Sequence, residues 1–260
     1  VLKLGSGEQT IWAGAPYHLA ENTTLTKEGG KVGAFYLIET DGVFQNQEEI
    51  NNYTYTDESG NTNPIQPDAL PGDIRFKDAN NDGVITSEDR VYSGSSMPNF
   101  TYGFNVQLNW RNFDINAFLN GSHGNKIYNG TAYSIEGMSN FTNLGTKLLD
   151  AWSQDNPSNI PRLTRLDPNR NGRSSSDRFL EDGSYLRLRN LQLGYTLPKD
   201  LIEGISNFRI YIAAQNLFTL TGYSGYNPDI YSSSGLLDRG VDTGIYPYSK
   251  TYRIGLQISL

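Results

Sequence analysis

The sequence predicts an all-β fold built from antiparallel strands of a transmembrane β-barrel, joined by long loops of which one holds a short helix. Two observations predict this fold. Several segments alternate apolar and polar side chains with the period of two that strands have. The connections between these segments alternate between short and long, as in outer-membrane barrels. No run approaches the roughly 18 apolar residues of a membrane helix, but a barrel strand needs only about ten alternating residues.

The clearest alternation lies in a predicted hairpin. Phe100–Trp110 (FTYGFNVQLNW) places apolar side chains on even positions and polar ones on odd positions. Residues 113–120 (FDINAFLN), after a tight turn at Arg111 and Asn112, alternate with apolar side chains on the odd positions. The polar faces of the two predicted strands therefore meet, and their members are candidates for a polar lumen lining: Asn105, Gln107, Asn109, Asp114 and Asn116. The alternative is a sheet face that merely meets water.

Three further strands are predicted towards the C-terminus. Residues 184–198 (SYLRLRNLQLGYTLP) change the parity of their leucines, which predicts a β-bulge near Asn190. Residues 207–220 and 251–260 each alternate cleanly. Residues 33–44 and 9–14 are weaker strand candidates, and residues 142–153 (TNLGTKLLDAWS) form the predicted helix.

The connection lengths set a direction for the strands. The turn at 111–112 and the link from 198 to 207 are short, whereas those after Phe118 and Tyr223 are long. In a barrel the short turns are periplasmic, which predicts a periplasmic C-terminus. A soluble β-sandwich also alternates, but its turn signals recur about every 8–12 residues. The N-terminal sequence VLKLGSGEQTIWAG has no initiator Met and no signal peptide, so we expect a piece of a longer chain.

Composition excludes several function classes. The net charge of −7 argues against a general nucleic-acid binder, which needs a basic face. The absence of Cys excludes disulfides and thiolate metal sites. His18 and His123 have no metal-ligand spacing, and no Gly-x-Ser-x-Gly elbow occurs, so we expect no enzyme and no catalytic residue.

A calcium loop is predicted in DANNDGVITSED, residues 78–89. Oxygen donors occupy the positions that an EF-hand-type loop uses, with Gly83 at the sixth. The candidate ligands for a structural Ca²⁺ are Asp78, Asn80, Asp82, Val84 (through its carbonyl), Thr86 and Asp89. The alternative is an Asx-rich turn that satisfies its own backbone. Since no amphipathic helix flanks the loop, we expect a brace rather than a calcium sensor.

Tyrosines cluster in the segment before the last predicted strand. Aromatic rings in polar surroundings suit stacking on sugar rings or packing against a partner. The candidate substrate-binding residues are Tyr223, Tyr226, Tyr231 and Tyr246, with Tyr248 beside them. The alternative for each ring is an interfacial aromatic belt or simple loop packing.

Several stretches together resemble one family. PGDIRFKDANNDGVI (71–85), MPNFTYGFN (97–105), RFLEDGSYLRLRNLQLGYTLP (178–198), IYIAAQNLFTLTGYSGYNPD (210–229) and DRGVDTGIYPYSKTYRIGL (238–256) occur in order. They look like the C-terminal region of SusC/RagA-type TonB-dependent outer-membrane transporters of the Bacteroidota. The resemblance covers nearly the whole chain, and GAFYLIETDGVFQNQEEI (33–50) also fits.

The resemblance implies a barrel of about 22 strands closed around an N-terminal plug. Residues 1–260 would be the C-terminal part of that one domain, without the plug and the earlier strands. It further implies import of an oligosaccharide or peptide across the outer membrane. The partners would be a SusD-like surface lipoprotein, TonB (through the N-terminal region) and membrane lipid.

Two other classes of function stay open at this point. The first is a soluble, calcium-braced β-sheet binding module of a surface adhesin or glycan-binding protein. The second is a passive porin, which would share the barrel but lack the lipoprotein and the energy coupling. Lipid-facing strands discriminate the soluble module from both barrels, because a soluble module buries its apolar faces between its own sheets.

Overall fold

A computed structural model of the chain describes residues 10–13, 21–138, 143–198, 201–202, 204–230, 237 and 239–259. It divides into two compact units. The first unit comprises Val1–Ser96, Ile127–Glu181 and Ile230–Gly244, and the second comprises Met97–Lys126, Asp182–Asp229 and Ile245–Leu260. Within the described residues, no helix has the length and apolar character needed to cross a membrane.

The strands of the chain are mostly short before residue 100 and long after it. In chain order they are β1 (Thr10–Ala13), β2 (Thr24–Lys27), β3 (Ala34–Ile38), β4 (Thr40–Val43), β5 (Thr54–Thr56), β6 (Thr62–Pro64), β7 (Ile74–Phe76), β8 (Arg90–Ser95), β9 (Phe100–Trp110), β10 (Phe113–His123), β11 (Lys126–Asn129), β12 (Leu180–Asp182), β13 (Tyr185–Thr196), β14 (Asn207–Thr221), β15 (Val241–Asp242) and β16 (Thr251–Ser259). The α-helices are α1 (Gln47–Asn52) and α2 (Gly130–Glu136).

The first unit packs small sheets around apolar clusters. β1, β2, β3 and β8 form a four-stranded sheet, while β4 pairs with β7 and β5 with β6. One cluster joins β3 to α2 and to the turn at Phe179, and its buried members are Phe35, Leu37, Tyr128, Tyr133, Phe179 and Val241. A second cluster joins β4 and β7 through Ile38, Val43, Ile74 and Phe76. The core of this unit is therefore an ordinary water-excluding one.

A buried polar network crosses the same unit. Asp73 is fully buried, and its carboxylate accepts hydrogen bonds from Arg162 (Nε, 2.7 Å), Asn171 (Nδ2, 2.8 Å) and the Leu70 amide (2.9 Å). Asn171 in turn accepts the Ile74 amide at 2.8 Å. A buried carboxylate is tolerated only when its oxygens are paired in this way. The network ties the segment 160–175 to the start of β7.

The second unit contains one antiparallel sheet in the order β16-β14-β13-β10-β9. All five predicted C-terminal strands are therefore confirmed. The hairpin turns at Arg111, whose φ of 54° matches the tight turn read from the sequence. The bulge predicted near Asn190 is also present: Leu188 pairs with Phe218 and Asn190 with Gln215, so that β13 inserts Arg189 and β14 inserts Asn216 and Leu217.

Two expectations differ from the structure. The predicted strand 33–44 is split into β3 and β4, which belong to different sheets, because the chain leaves the ladder at Glu39. The segment predicted as a helix forms a 3₁₀ turn, Thr146–Asp150, instead of an α-helix, and residue 142 lies outside the described residues. Gly145, which is the residue before this turn, supplies no side-chain cap. The α-helices lie elsewhere, at α1 and α2, where Asn46 and Asn129 cap the first turns.

Candidate membrane face and ligand-facing surface

One face of the five-stranded sheet is apolar and exposed. Cross-strand pairing aligns its side chains in rows, for example Leu108–Ile115–Leu193–Ile212–Ile254. Large side chains on this face are strongly exposed, with Trp110 at 66% and Ile254 at 82%. A contiguous apolar surface that extends across five strands is unfavourable in water and marks a contact with a membrane or a partner. Together with the opposite polar face, it has the alternation of a transmembrane barrel wall.

The opposite face of the same sheet is polar. The rows there run Asn109–Asp114–Gly194–Tyr211–Gly255 and Gln107–Asn116–Gln192–Ala213–Arg253. The polar residues predicted to share one face, Asn105, Gln107, Asn109, Asp114 and Asn116, do lie on this common face by register. Lining of a transport path by these residues stays a prediction.

An ion pair spans this polar face across one glycine. Arg209 donates from Nε to Asp114 Oδ1 at 2.8 Å and from its terminal nitrogen to Oδ2 at 2.6 Å. Gly194 lies between them, and a Cβ there would meet Asp114 Oδ1 at 2.3 Å and the Arg209 guanidinium at 2.5 Å. The Tyr211 ring covers Gly255 in the same manner. At each of these two positions a glycine is required, because long side chains from neighbouring strands occupy the space that a Cβ would fill.

A buried arginine fixes the loops of this unit. Arg187 donates to Thr219 Oγ1 (2.9 Å) and Asn227 Oδ1 (2.7 Å), pairs with Asp229 at 3.4 Å, and lies over the rings of Tyr185 and Tyr248. Burial and the charge of Asp229 raise the pKa of the Tyr248 hydroxyl above its ordinary value. Three of its donors are committed to these partners and its side chain is only 4% exposed, so it acts as an anchor of the loops. The sequence analysis did not identify Arg187 as an anchor, because its partners lie 32–42 residues away along the chain.

The predicted ligand-facing tyrosines have different environments. Tyr226 and Tyr246 are 71% and 85% exposed, whereas Tyr223 is 5% exposed and belongs to the packed interior. Tyr223 therefore fits the loop-packing alternative, because a buried ring cannot stack on a sugar. Tyr231 lies outside the described residues. Ligand binding by Tyr226 and Tyr246 stays a prediction.

The predicted calcium loop uses its acidic side chains on its own backbone. Asp78 accepts the amides of Asp82 and Gly83, and Asp82 accepts the amide of Val84. Asp89 is fully buried and accepts the amides of Ala79 and Thr86, the latter within a capping box. These are the bonds expected of an Asx-rich turn. Asn80 likewise bonds within the loop, accepting the Asp82 amide on Oδ1 and donating from Nδ2 to the Asp82 carboxylate, while the Val84 amide donates to Asp82. Among the described residues, no group of three or more acidic or His side chains is arranged to hold a metal ion. Calcium binding stays a prediction.

Known proteins resemble the chain over nearly its whole length. It is 33% identical over 272 residues to TonB-dependent receptor P3 of Formosa agariphila, which covers 99% of the chain and 25% of that receptor. It is 28% identical to TonB-dependent receptor SusC of Bacteroides thetaiotaomicron, over 72% of the chain and 18% of SusC. The solved structure of the RagAB peptide transporter superposes with a TM-score of 0.65 at 26% identity, over 93% of the chain and 24% of its own.

These comparisons bound what the chain is. No family model matches it. The chain spans about a quarter of the length of the first curated relatives that it matches. The relatives are receptors and transporters, not enzymes, which confirms the expectation that the chain is not an enzyme. Its five-stranded sheet, apolar on one face and polar on the other, is part of an all-β barrel wall, as in these outer-membrane relatives. The chain belongs to the SusC/RagA family of TonB-dependent outer-membrane transporters and corresponds to their C-terminal region.

Proposed function

We propose that the chain forms the wall and ligand-facing loops of a TonB-dependent importer that carries an oligosaccharide or peptide nutrient across the outer membrane. The observation that carries this proposal is the sheet with one exposed apolar face and one polar face, on a chain that matches a TonB-dependent receptor over 99% of its length. The partners in the proposal are membrane lipid, a SusD-like surface lipoprotein, and TonB acting through a region outside residues 1–260.

Sheet pairing supports a larger barrel. Among the described residues, β9 and β16 each pair on one side only, with β10 and β14 respectively. Unpaired backbone groups at a sheet edge cost several kcal/mol each in hydrocarbon, which is why membrane sheets close. We infer that strands outside this chain pair with both edges, so that residues 1–260 belong to one barrel domain. A soluble module would instead have to cover the exposed apolar face.

The test uses the full-length protein in its native outer membrane. Intact mass is measured after extraction in detergent, and co-purifying proteins are identified. We expect a mass of several times that of the 29.0 kDa chain, with a lipoprotein partner. Uptake of a labelled oligomer mixture is then compared between wild-type and TonB-deficient cells. Loss of uptake without TonB supports the proposal; equal uptake indicates a passive porin, and a 29.0 kDa soluble protein indicates the binding module.

We also propose that the 78–89 loop binds Ca²⁺ and braces the segment before β8. Hard oxygen donors at this spacing suit calcium, and the shorter Asp89 in place of Glu predicts weak binding, in the millimolar range of extracellular modules. Hydrogen exchange of the loop amides is measured in 5 mM Ca²⁺, in 5 mM Mg²⁺ and in EDTA. Slower exchange in Ca²⁺ alone, abolished by Asp82→Asn, supports the brace. Asp57→Asn is the matched control, because Asp57 also accepts backbone amides (Ser59 and Asn61) in an exposed turn.

A further inference from the structure

The charges on the five-stranded sheet are unbalanced. Its strands carry four arginines and one aspartate: Arg187, Arg189, Arg209, Arg253 and Asp114. Asp114 forms an ion pair with Arg209, and Arg187 forms one with Asp229, which lies in the loop after β14. Among the described residues, no acidic side chain forms an ion pair with Arg189 or Arg253. Both side chains are exposed.

A cleft lies on the polar face beside one of these two cations. Its floor is Ala213, the one short side chain in the row Asn116–Gln192–Ala213–Arg253. Its volume is about 330 Å³, at the lower end of the range of about 300–1,000 Å³ for small-molecule sites. The long side chains around the floor leave a depression that the sheet itself does not fill. All lining residues belong to the second unit.

The lining of the cleft offers hydrogen-bond donors and no carboxylate. Amides come from Asn116, Asn190, Gln192 and Gln215, and Tyr211 forms one wall. Arg253 has only a long contact to Gln215 Oε1, at 3.5 Å, so most of its five donors are uncommitted. A planar guanidinium surrounded by amide and phenol donors is the chemistry that recognises an oxyanion, above all a carboxylate.

The charge of the unit agrees with this chemistry. The second unit holds eight Lys and Arg against five Asp and Glu, whereas the remaining chain holds thirteen against twenty-three. A basic surface on an otherwise acidic protein attracts anions to that surface in particular. The overall charge of −7 conceals this local reversal.

We propose that the cleft over Ala213 binds a carboxylate of the imported oligomer, with Arg253 as its cationic partner. This rests on the proposed import function and deepens it, because it assigns acidic ligands as the substrate class. The carboxylate can come from a uronic-acid sugar or from the free C-terminus or acidic residue of a peptide. The chemistry at Arg253 is the same for both, and the experiment separates them.

The test measures ligand affinity of the purified full-length transporter complex by calorimetry at low and high salt. The probes are two matched pairs: trigalacturonate against maltotriose, and tri-alanine against tri-alanine amide. We expect at least one acidic probe to bind ten-fold or more tightly than its neutral counterpart, and the preference to shrink at high salt. The pair that shows the preference identifies the source of the carboxylate.

Variants locate the effect. Arg253→Gln and the cleft-filling Ala213→Leu should each abolish the preference, and Arg253→Lys should keep part of it because the charge remains while the fork is lost. Arg111→Gln is the matched control: it removes the same charge from the tight turn, where Arg111 lies over Trp110, and should leave the preference unchanged. Folding of each variant is checked by heat-modifiable mobility, and if Arg253→Gln fails to fold, Ala213→Leu and Arg253→Lys decide.

Four outcomes overturn the inference, three in binding by the purified protein and one in uptake by cells. The first is equal affinity for acidic and neutral probes. The second is an acid preference that survives both Arg253→Gln and Ala213→Leu. The third is a lower melting temperature of Arg253→Gln with the preference intact, which would assign Arg253 to internal packing of the barrel. If uptake depends on TonB but not on ligand charge, this inference is wrong and the proposed function stands. If uptake does not depend on TonB, the proposed function is wrong.

Discussion

The two units of the chain use apolar and ionic side chains in opposite ways. In the first unit Phe35, Leu37 and Phe76 are buried at 1% exposure or less, and the Asp73 carboxylate is buried with its partners. In the five-stranded sheet of the second unit, Leu108 and Ile254 face outwards while Asp114 and Arg209 pair on the opposite face. The same residue types are thus sorted by the solvent that each surface meets, water in one case and hydrocarbon in the other.

The largest effect is expected from the buried carboxylate of the first unit. Asp73→Ala leaves Arg162 and Asn171 without their acceptor, and breaking a buried pair in this way costs about 3–5 kcal/mol. Hydrogen exchange at the Leu70 and Ile74 amides should accelerate strongly in the full-length protein. The control is Asp41→Ala, which removes the exposed partner of Arg75 and should cost less than about 1 kcal/mol. Equal effects of the two substitutions would contradict the contrast between buried and exposed pairs.

The next effect tests which face of the sheet meets lipid. Ile212→Arg places a charge in the middle of the apolar face and should destabilise the barrel by about 2–4 kcal/mol. Gln192→Arg makes a similar change on the polar face of the neighbouring strand and should cost little. The amount of heat-modifiable, folded protein in the outer membrane measures both. If Gln192→Arg were the more damaging variant, the assignment of the faces would be reversed.

A smaller effect is expected where Asp114 and Arg209 cross Gly194. Gly194→Val inserts a branched side chain into atoms 2.3–2.5 Å from an ideal Cβ, and overpacking of this kind costs about 1–3 kcal/mol. The unfolding midpoint in denaturant should fall accordingly. Gly103→Ala is the control in β9, two strands away in the sheet, because its Cβ would meet only ordinary contacts at 3.5 Å or beyond. A midpoint unaffected by Gly194→Val would show that the ion pair does not need this crossing.

The smallest effect concerns two carboxylates that accept the same kinds of donor. Asp177 accepts hydrogen bonds from the Thr40 amide and hydroxyl, and burial raises the pKa of its carboxyl group. Asp182 accepts hydrogen bonds from the Ser184 amide and hydroxyl, and the bond from the hydroxyl is the main cause that lowers its pKa. As pH falls, Asp177 should therefore protonate first. Its raised pKa means that stability from this group grows towards low pH, whereas stability from Asp182 is present above its unfolded pKa and is lost as pH falls through the lower, folded value.

Amide exchange, corrected for its intrinsic pH dependence, follows the two contacts between about pH 6 and pH 3. The Thr40 amide should respond at the higher pH and the Ser184 amide at the lower one. Asp182→Asn should remove the second response and leave the first. A reversed order of the two responses would show that burial is not what separates these carboxylates.

The sequence was most informative where the period of two runs long enough to be read. β9, β10, β13, β14 and β16 have 9–15 residues each, and their apolar faces follow directly from the alternation. β5, β6 and β7 have three residues each, too few for any period, and β3 is buried on both faces. The side chains that bond Asp73 and Arg187 lie 32–98 positions away from them along the chain, so no local pattern marks these contacts.

The arginines of the sheet also act as a check on its register. A slip of one residue between strands would turn every side chain to the other face. In β14 and β16 such a slip would push Arg209 and Arg253 into hydrocarbon, at about 2–4 kcal/mol each near the midplane. The inserted residues at the bulge, Arg189 and Asn216, fix the pairing on either side of it. A slip of one residue therefore exposes these charges to lipid, which favours the observed alignment over the slipped one.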